Sequence, residues 1–184
     1  MVKLYPGPSP NFIRLFALSD TIERLKEAFA GESQANRRYL AFAKKADEEG
    51  LTQVAKLFRA AAEAETIHAH NHMRVAGEIG MTVSNLEEAI SGETFEFTKM
   101  YPEFLEVARR ESNKQAEWSF NVANQVEEIH AGLFKEAYEA IKADRDIMEV
   151  DYYVCKVCGN TVENVAPSKC SICGAPTAQF FKVE

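Results

Sequence analysis

Residues 58–68 read FRAAAEAETIH, and sixty-two positions later residues 120–130 read FNVANQVEEIH. Phe58, Ala61, Glu65, Ile67 and His68 map onto Phe120, Ala123, Glu127, Ile129 and His130. Glu and His three residues apart share one face of a helix, and here that face also carries Phe and Ala. A carboxylate and an imidazole on an apolar stripe are costly unless a partner satisfies them, yet the chain builds the arrangement twice. A shorter repeat precedes each copy, Gly31–Glu32 returning as Gly92–Glu93. Each half therefore reads as a helix with one Glu, a tight turn, and a helix with Glu-x-x-His.

The spacings let the four acids share a layer. Glu32 lies 18 residues before Gly50 and Glu65 lies 15 after it, about 27 and about 22 Å from the turn at the rise of an α-helix. Glu93 lies 19 before Ser112 and Glu127 lies 15 after it. The stripes containing the acids are apolar: Leu25, Ala28, Glu32, Tyr39, Phe42; Leu57, Ala61, Glu65, His68, His72, Val75; Leu86, Ala89, Glu93, Glu96, Met100, Val107; and Phe120, Ala123, Glu127, His130, Phe134. One such Glu alone reads as a surface residue. Four converging in a core would repel and lose hydration, at about several kcal/mol each, and no Lys or Arg shares the stripes. Divalent cations resolve the conflict. One Glu from each of two helices plus Glu-x-x-His from each of the other two is the ligand pattern of a di-iron or di-manganese site in a bundle. Iron or manganese suits these ligands, with zinc open on affinity alone. Glu96 is a seventh candidate without a counterpart, since Ala35 stands in its place in the first half. His70 reads as solvated and His72, a turn beyond the layer, as structural. Trp118 and the phenylalanines read as core. Tyr39 and Tyr101 read as core residues or as hydrogen-bond partners of the ligating carboxylates.

Residues 20–146 have helical composition, with Pro102 the single proline between residues 20 and 144. Ser19 or Asp20, with Glu23, is the expected cap of a first helix ending at Gly50. A second should run from Thr52 to Ala76 and close at Gly77 and Gly80. Ser84 or Asn85 should cap a third that reaches Arg110 and is kinked or split by Pro102. A fourth should run from Lys114 to Ala143. The expected fold is an all-α four-helix bundle over residues 20–146, after an N-terminal extension at 1–19 and before a small β/knuckle domain at 150–184.

That last segment holds all four cysteines of the chain, Cys155, Cys158, Cys170 and Cys173, as CKVCG and CSICG. It is too short for a sufficient core and needs a staple. Two Cys-x-x-Cys knuckles describe one tetrahedral thiolate site. Spacing leaves structural zinc and electron-carrying iron both open. Net charge is −7 with acids and bases dispersed, which speaks against nucleic acid. No apolar run is long enough to span a membrane and the N-terminus does not read as a signal peptide, so a cytoplasmic protein is expected.

GESQANRRY, EAETIH, GETFEFTKMYPEF, VEEIH and the terminal CKVCG and CSICG together resemble the rubrerythrin family over residues 20 to 184. The resemblance implies a ferritin-like bundle with a non-haem di-iron centre, joined to a rubredoxin-like domain with a mononuclear iron on Cys155, Cys158, Cys170 and Cys173. It implies reduction of hydrogen peroxide to water, with electrons from rubredoxin or an NAD(P)H-dependent reductase, in a cytoplasmic homodimer defending against oxidative stress. Glu32 and Glu93 correspond to terminal ligands and Glu65 and Glu127 to bridges. His130 corresponds to a ligand of the second iron, His68 and Glu96 to a pair that exchanges with oxidation state, and Tyr39 and Tyr101 to tyrosines beside the site. The resemblance also places the rubredoxin-like domain of one chain near the di-iron site of another. Two positions depart from the family: Ser171 replaces a proline frequent in the second knuckle, and Asn160 stands where an aromatic is common. The rival reading is a ferritin-type ferroxidase, in which a fused electron-carrying domain has no role.

Overall fold

The computed structural model describes the backbone from Pro10 and the side chains from Asp20 to Glu184; most of the expected extension at 1–19 lies outside the described residues. The chain forms two compact units, residues 1–79 and 80–184. The first is the hairpin of α1 (Pro10–Glu48) and α2 (Thr52–Ala76). The second contains α3 (Thr82–Phe95), a π-helical turn (Glu96–Met100), α4 (Tyr101–Arg110), α5 (Lys114–Lys142) and strands β1 (Tyr152–Cys155), β2 (Thr161–Glu163) and β3 (Phe180–Lys182).

The repeat seen in the sequence extends into the backbone of the turns. Gly50 and Ser112 both take left-handed φ, +77° and +57°. The next N–H in each case reaches back to a buried alanine carbonyl: Leu51 to Ala46 at 2.8 Å and Asn113 to Ala108 at 2.9 Å. Both bonds are the closing contacts of a helix that ends in a left-handed residue. Asn113 also caps α5, its side-chain oxygen accepting from Ala116 N–H at 3.1 Å.

Within the first unit the seam is alanine. Ala55, Ala62 and Ala69 of α2 are buried at seven-residue intervals, facing buried Ala43 and Ala46 of α1. Side chains this small let two helices approach closely. A polar clasp fixes their register: Asn36 on α1 donates to the Ala62 carbonyl and to Thr66 Oγ1, both at 2.8 Å. In the second unit the buried residues include Leu105 and Ala108 of α4 and Val122 and Val126 of α5, Val126 lying beside Gly159 of the first knuckle.

Three details differ from the sequence reading, and Pro102 splits the third helix as expected. The first helix begins at Pro10, so Asp20 is interior and its carboxylate pairs with Arg24 one turn on, at 3.4 Å. The third begins at Thr82, because Asn85 clasps the preceding loop instead of capping: its amide accepts from Gly80 N–H at 2.8 Å and donates to Gly80 O at 3.1 Å. Pro102 sits in the first turn of α4, and the strain of its missing N–H and its ring is taken up by the wider turn just before it. Trp118 is 51% exposed and is not core. Phe42, Phe95 and Phe104 are exposed as well, because a hairpin covers only one side of each of its helices.

The C-terminal sheet is antiparallel in the order β2-β1-β3, with Tyr153 opposite Val162 and Val154 opposite Phe181. Its core is small: Cys155, Cys170, Ala175 and Phe180, flanked by Tyr153, Val162, Ala166 and Ile172. The two knuckles repeat at fifteen residues, Gly159 N–H reaching Cys155 O at 2.8 Å and Gly174 N–H reaching Cys170 O at 3.0 Å. Gly159 (φ +84°) and Gly174 (φ +77°) both adopt the left-handed conformation that the turn requires.

If Asn36 sets the α1–α2 register, Asn36→Ala should lower stability by about 1–3 kcal/mol through loss of two partly buried hydrogen bonds. Urea unfolding of the two proteins checks this, and unchanged midpoints would show that the alanine seam alone holds the hairpin.

Candidate metal centres

Among the described residues, three groups bring potential ligand atoms within 4.8 Å of one another: Glu32, Glu65 and His68; Glu93, Glu127 and His130; and the four cysteines. The first two are the predicted carboxylate–imidazole sets, one in each unit, and they are near copies. His68 Nδ1 lies 3.1 Å from Glu65 and 3.8 Å from Glu32. His130 Nδ1 lies 2.8 Å from Glu127 and 3.9 Å from Glu93. An aromatic trio stands beside each, Tyr39–Phe42–Phe58 in one and Tyr101–Phe104–Phe120 in the other, with the two phenylalanine centroids 5.5 Å apart in both. The rings fix where each tyrosine points. His70 is exposed, as expected, and His72 is half-buried near enough to Glu32 to act on its charge.

Offsets within the repeat carried a signal that ligand spacing alone did not use. Glu32 and Glu93 are sixty-one apart, whereas Tyr39 and Tyr101 are sixty-two apart. One extra residue therefore enters the second half between them, and the π-turn from Glu96 to Met100 absorbs it. π-turns of this kind occur mostly as single insertions inside helices, frequently at functional sites. The turn opens on Glu96, the carboxylate without a counterpart. Glu96 stands outside the 4.8 Å group but feels it: burial, then the Glu127 charge, raise its pKa.

The electrostatics are those of a cation site. Sharing a proton with Glu65 pushes Glu32 above the usual carboxylate range and Glu65 below it. Burial first, then the charge of Glu127, raise Glu93 to about 7. The hydrogen bond to Glu127 raises His130 against the effect of its burial. Burial and then the charges of Glu127, Glu96 and Glu93 raise the Tyr101 phenol. Carboxylates with raised pKa values, crowded against imidazoles, are ligands lacking their positive charge, so the donor set fits divalent iron or manganese.

The cysteine group also fits its metal. Cys155 and Cys173 sulfurs lie 3.7 Å apart, and those of Cys158 and Cys170 lie 3.6 Å apart; a tetrahedron with bonds of about 2.3 Å has edges of about 3.8 Å. Burial is the largest influence on Cys170 and pushes its thiol up. Backbone N–H donors from Cys173 and Ile172 and the Asn160 amide outweigh it and bring the pKa down to about 6. The two departures from the family pattern touch each other here. Asn160, 1% exposed, donates to Cys170 Sγ at 3.5 Å and lies 3.4 Å from Ser171 Oγ.

One contact was not foreseen. His130 Nε2 lies 3.0 Å from Thr161 Oγ1 on β2, and the Thr161 hydroxyl donates to the Gly159 carbonyl at 3.2 Å, next in sequence to Cys158. The cysteine domain thus touches a histidine of its own chain. His68 has no comparable hold, and its side chain is 53% exposed against 28% for His130. Thr161 stands two residues beyond the CKVCG knuckle, but a single threonine there gave no sequence signal.

Comparison with known proteins agrees with this geometry. Residues 23–138 match the family model described as Rubrerythrin, and residues 153–181 match the one described as Rubrerythrin, rubredoxin-like domain. The chain belongs to the rubrerythrin family. It is similar to Rubrerythrin-2 of Clostridium acetobutylicum, 37% identical over 174 residues that cover 87% of this chain and 95% of that protein. It is similar to nigerythrin of Nitratidesulfovibrio vulgaris, 35% identical over 178 residues covering 89% and 87%. The solved structure of fully reduced, all-ferrous nigerythrin overlays with a TM-score of 0.53 at 33% identity, covering 89% of this chain and 86% of that one. The rubrerythrin-family fold, ferritin-like helices followed by a rubredoxin-like domain, is therefore the fold of this chain, and its Glu/His and cysteine groups suit a di-iron and a rubredoxin-like iron centre.

Two outcomes follow. In metal-free protein, Glu93 stabilises the fold below its ordinary pKa of about 4.5, and this is lost as pH rises towards about 7, because the folded state binds the proton more tightly. Metal-free Glu93→Gln should therefore unfold at higher temperature than wild type at pH 8, with the difference vanishing near pH 4; a difference equal at both pH values would contradict the assignment. Removing the N–H to sulfur in Asn160→Leu should move the reduction potential of the iron-loaded cysteine site to more negative values, since hydrogen bonds to sulfur stabilise the reduced form. Voltammetry of the two proteins measures this, and equal potentials would remove Asn160 from the account.

Proposed function

We propose that the chain is a non-haem di-iron peroxidase that reduces hydrogen peroxide to water. The observation that carries the reading is the contact between the two kinds of site, Thr161 of the cysteine domain against His130 of the carboxylate–imidazole group. A ferritin-type ferroxidase has no use for an electron-carrying site hydrogen-bonded to one of its ligands; a peroxidase that must be re-reduced at every turnover does.

In this reading Glu32, Glu65 and His68 form one half of the cage and Glu93, Glu127 and His130 the other, with Glu96 beside the second half. These residues would hold a ferrous pair, which would supply the two electrons that, with two protons, convert one hydrogen peroxide to two waters. The protein's part is position and protons. Nδ1 of each histidine faces its carboxylates, and Thr161 holds His130 from the opposite side with the ring turned to present Nδ1. Glu93, with a pKa of about 7 before metal binds, Glu96 and the Tyr101 phenol surround the second half with groups able to hold and pass a proton. The four thiolates would hold an iron able to take single electrons from a rubredoxin or an NAD(P)H-dependent reductase, and Thr161 and Gly159 link the Cys158 knuckle to His130 by hydrogen bonds. No described helix is long and apolar enough to cross a membrane, and thiolates left free for metal belong in a reducing cytoplasm.

Stopped-flow absorption tests the proposal. Fully reduced protein mixed with stoichiometric hydrogen peroxide should regain the visible ferric–thiolate colour far faster than with oxygen. Thr161→Val should slow that return and Thr161→Ser should restore it. Zinc in the cysteine site, or oxygen acting as fast as peroxide, would overturn the reading.

A further inference from the structure

Each hairpin leaves part of its ligand-bearing stripe open. Phe42 on the Glu32 stripe is 47% exposed and Leu57 on the Glu65 stripe is 69% exposed, although both belong to the apolar pattern of a bundle interior. Phe104, beside Val107 on the Glu93 stripe of the second unit, is exposed too. A facing hairpin is needed to cover these residues and to bring the second trio of ligands. The length of the connection between the hairpins decides where that hairpin comes from.

Ferritin-like folds join their two helix pairs by one long crossover, which returns the chain along the length of the bundle so that the second and third bundle helices run parallel. Here α2 runs 11 residues past Glu65 to Ala76, and α3 starts 11 residues before Glu93 at Thr82. With Glu65 and Glu93 level on parallel helices, Ala76 and Thr82 would stand about 33 Å apart along the axis, at 1.5 Å per residue. The link, residues 77–81, reaches about 20 to 22 Å when fully extended. It is also not extended. Gly77, with φ +77°, closes α2 in a left-handed cap, Glu78 N–H bonds Met73 O at 3.0 Å, and Asn85 clasps Gly80 on both its N–H and its carbonyl. Gaining the missing distance would mean unwinding helix on both sides and breaking these contacts.

We infer that the dinuclear centre is assembled between two copies of the chain. The α1–α2 hairpin of one protomer closes on the hairpin of α3, α4 and α5 from its partner, and the exchange is reciprocal, giving two centres per two-fold dimer. The occupant of each open face is thus a second copy, whose complementary face carries the same ligand trio by virtue of the internal repeat. The inference rests on the dinuclear reading above, and adds that no single chain holds a complete centre.

Two differently tagged chains, co-expressed, test it. One carries Glu65→Ala and His68→Ala; the other carries Glu127→Ala and His130→Ala. In the heterodimer purified through both tags, reciprocal exchange unites the two intact halves in one centre and the two damaged halves in the other. That heterodimer should hold about half of the wild-type dinuclear iron, and each variant alone should hold none. A heterodimer without dinuclear iron would overturn the exchange, because closure within each chain leaves every centre with one damaged half. Native mass spectrometry of the unaltered iron-loaded protein gives a second reading that does not depend on how the variants fold. The iron pair should appear only in dimers or their multiples. An iron pair in a wild-type monomer would overturn the exchange alone; no iron pair in any assembly would overturn the dinuclear reading and the exchange with it.

Discussion

Paired carboxylates on the apolar faces of helices are the constraint around which the rest of the molecule is arranged. Glu32 and Glu65 stand close enough to shift one another's protonation, and Glu127 stands close enough to Glu93 to raise its pKa. Without a cation each pair opposes the packing of its helices, since ionised acids resist leaving water. A divalent ion would offset that repulsion by sharing the carboxylates as ligands. The alanine seam of Ala55, Ala62 and Ala69 fits this logic: the α1–α2 hairpin, built on small residues, brings its helices close and holds Glu32, Glu65 and His68 together.

The two halves are copies with a difference, and the differences lie on one side. The second half has the inserted residue, the π-turn, Glu96 and the Thr161 hold on His130. The first half has Ala35, a regular helix and an exposed His68. His130 meets a partner at each ring nitrogen, whereas His68, among the described residues, meets its carboxylates at Nδ1 alone. The histidine with the added partner is thus the one beside the cysteine domain, and the more exposed histidine belongs to the other unit.

Much of this was legible in the sequence because periodicity and repeat report on backbone geometry directly. The bounds of α2, the left-handed turn at Gly50 and the cysteine knuckles follow from residue type and spacing. The Glu and His sets follow because acids converging on apolar stripes, with no Lys or Arg among them, need a cation to offset their repulsion and lost hydration. What was not legible depended on tertiary context. Asp20 has the chemistry of a cap but lies within a helix that begins at Pro10. Asn85 has it too, and uses it on the loop before α3. Trp118 was expected inside on hydrophobicity alone, which cannot say whether a face is covered. The π-turn was written as a change of offset from sixty-one to sixty-two, visible only when the repeat is followed past the ligands. Thr161 belongs to no motif, and only the docking of β2 beside α5 reveals it.

Mössbauer spectroscopy of protein purified without oxygen, loaded with ⁵⁷Fe and then oxidised tests the central claim most directly. The account predicts about three irons per chain, two as an exchange-coupled ferric pair with oxygen and nitrogen ligands and one as a ferric site with four thiolates. Iron confined to the thiolate site, or uncoupled single ions at the carboxylates, would show that the two Glu/His trios do not share one centre and would contradict the account at its base.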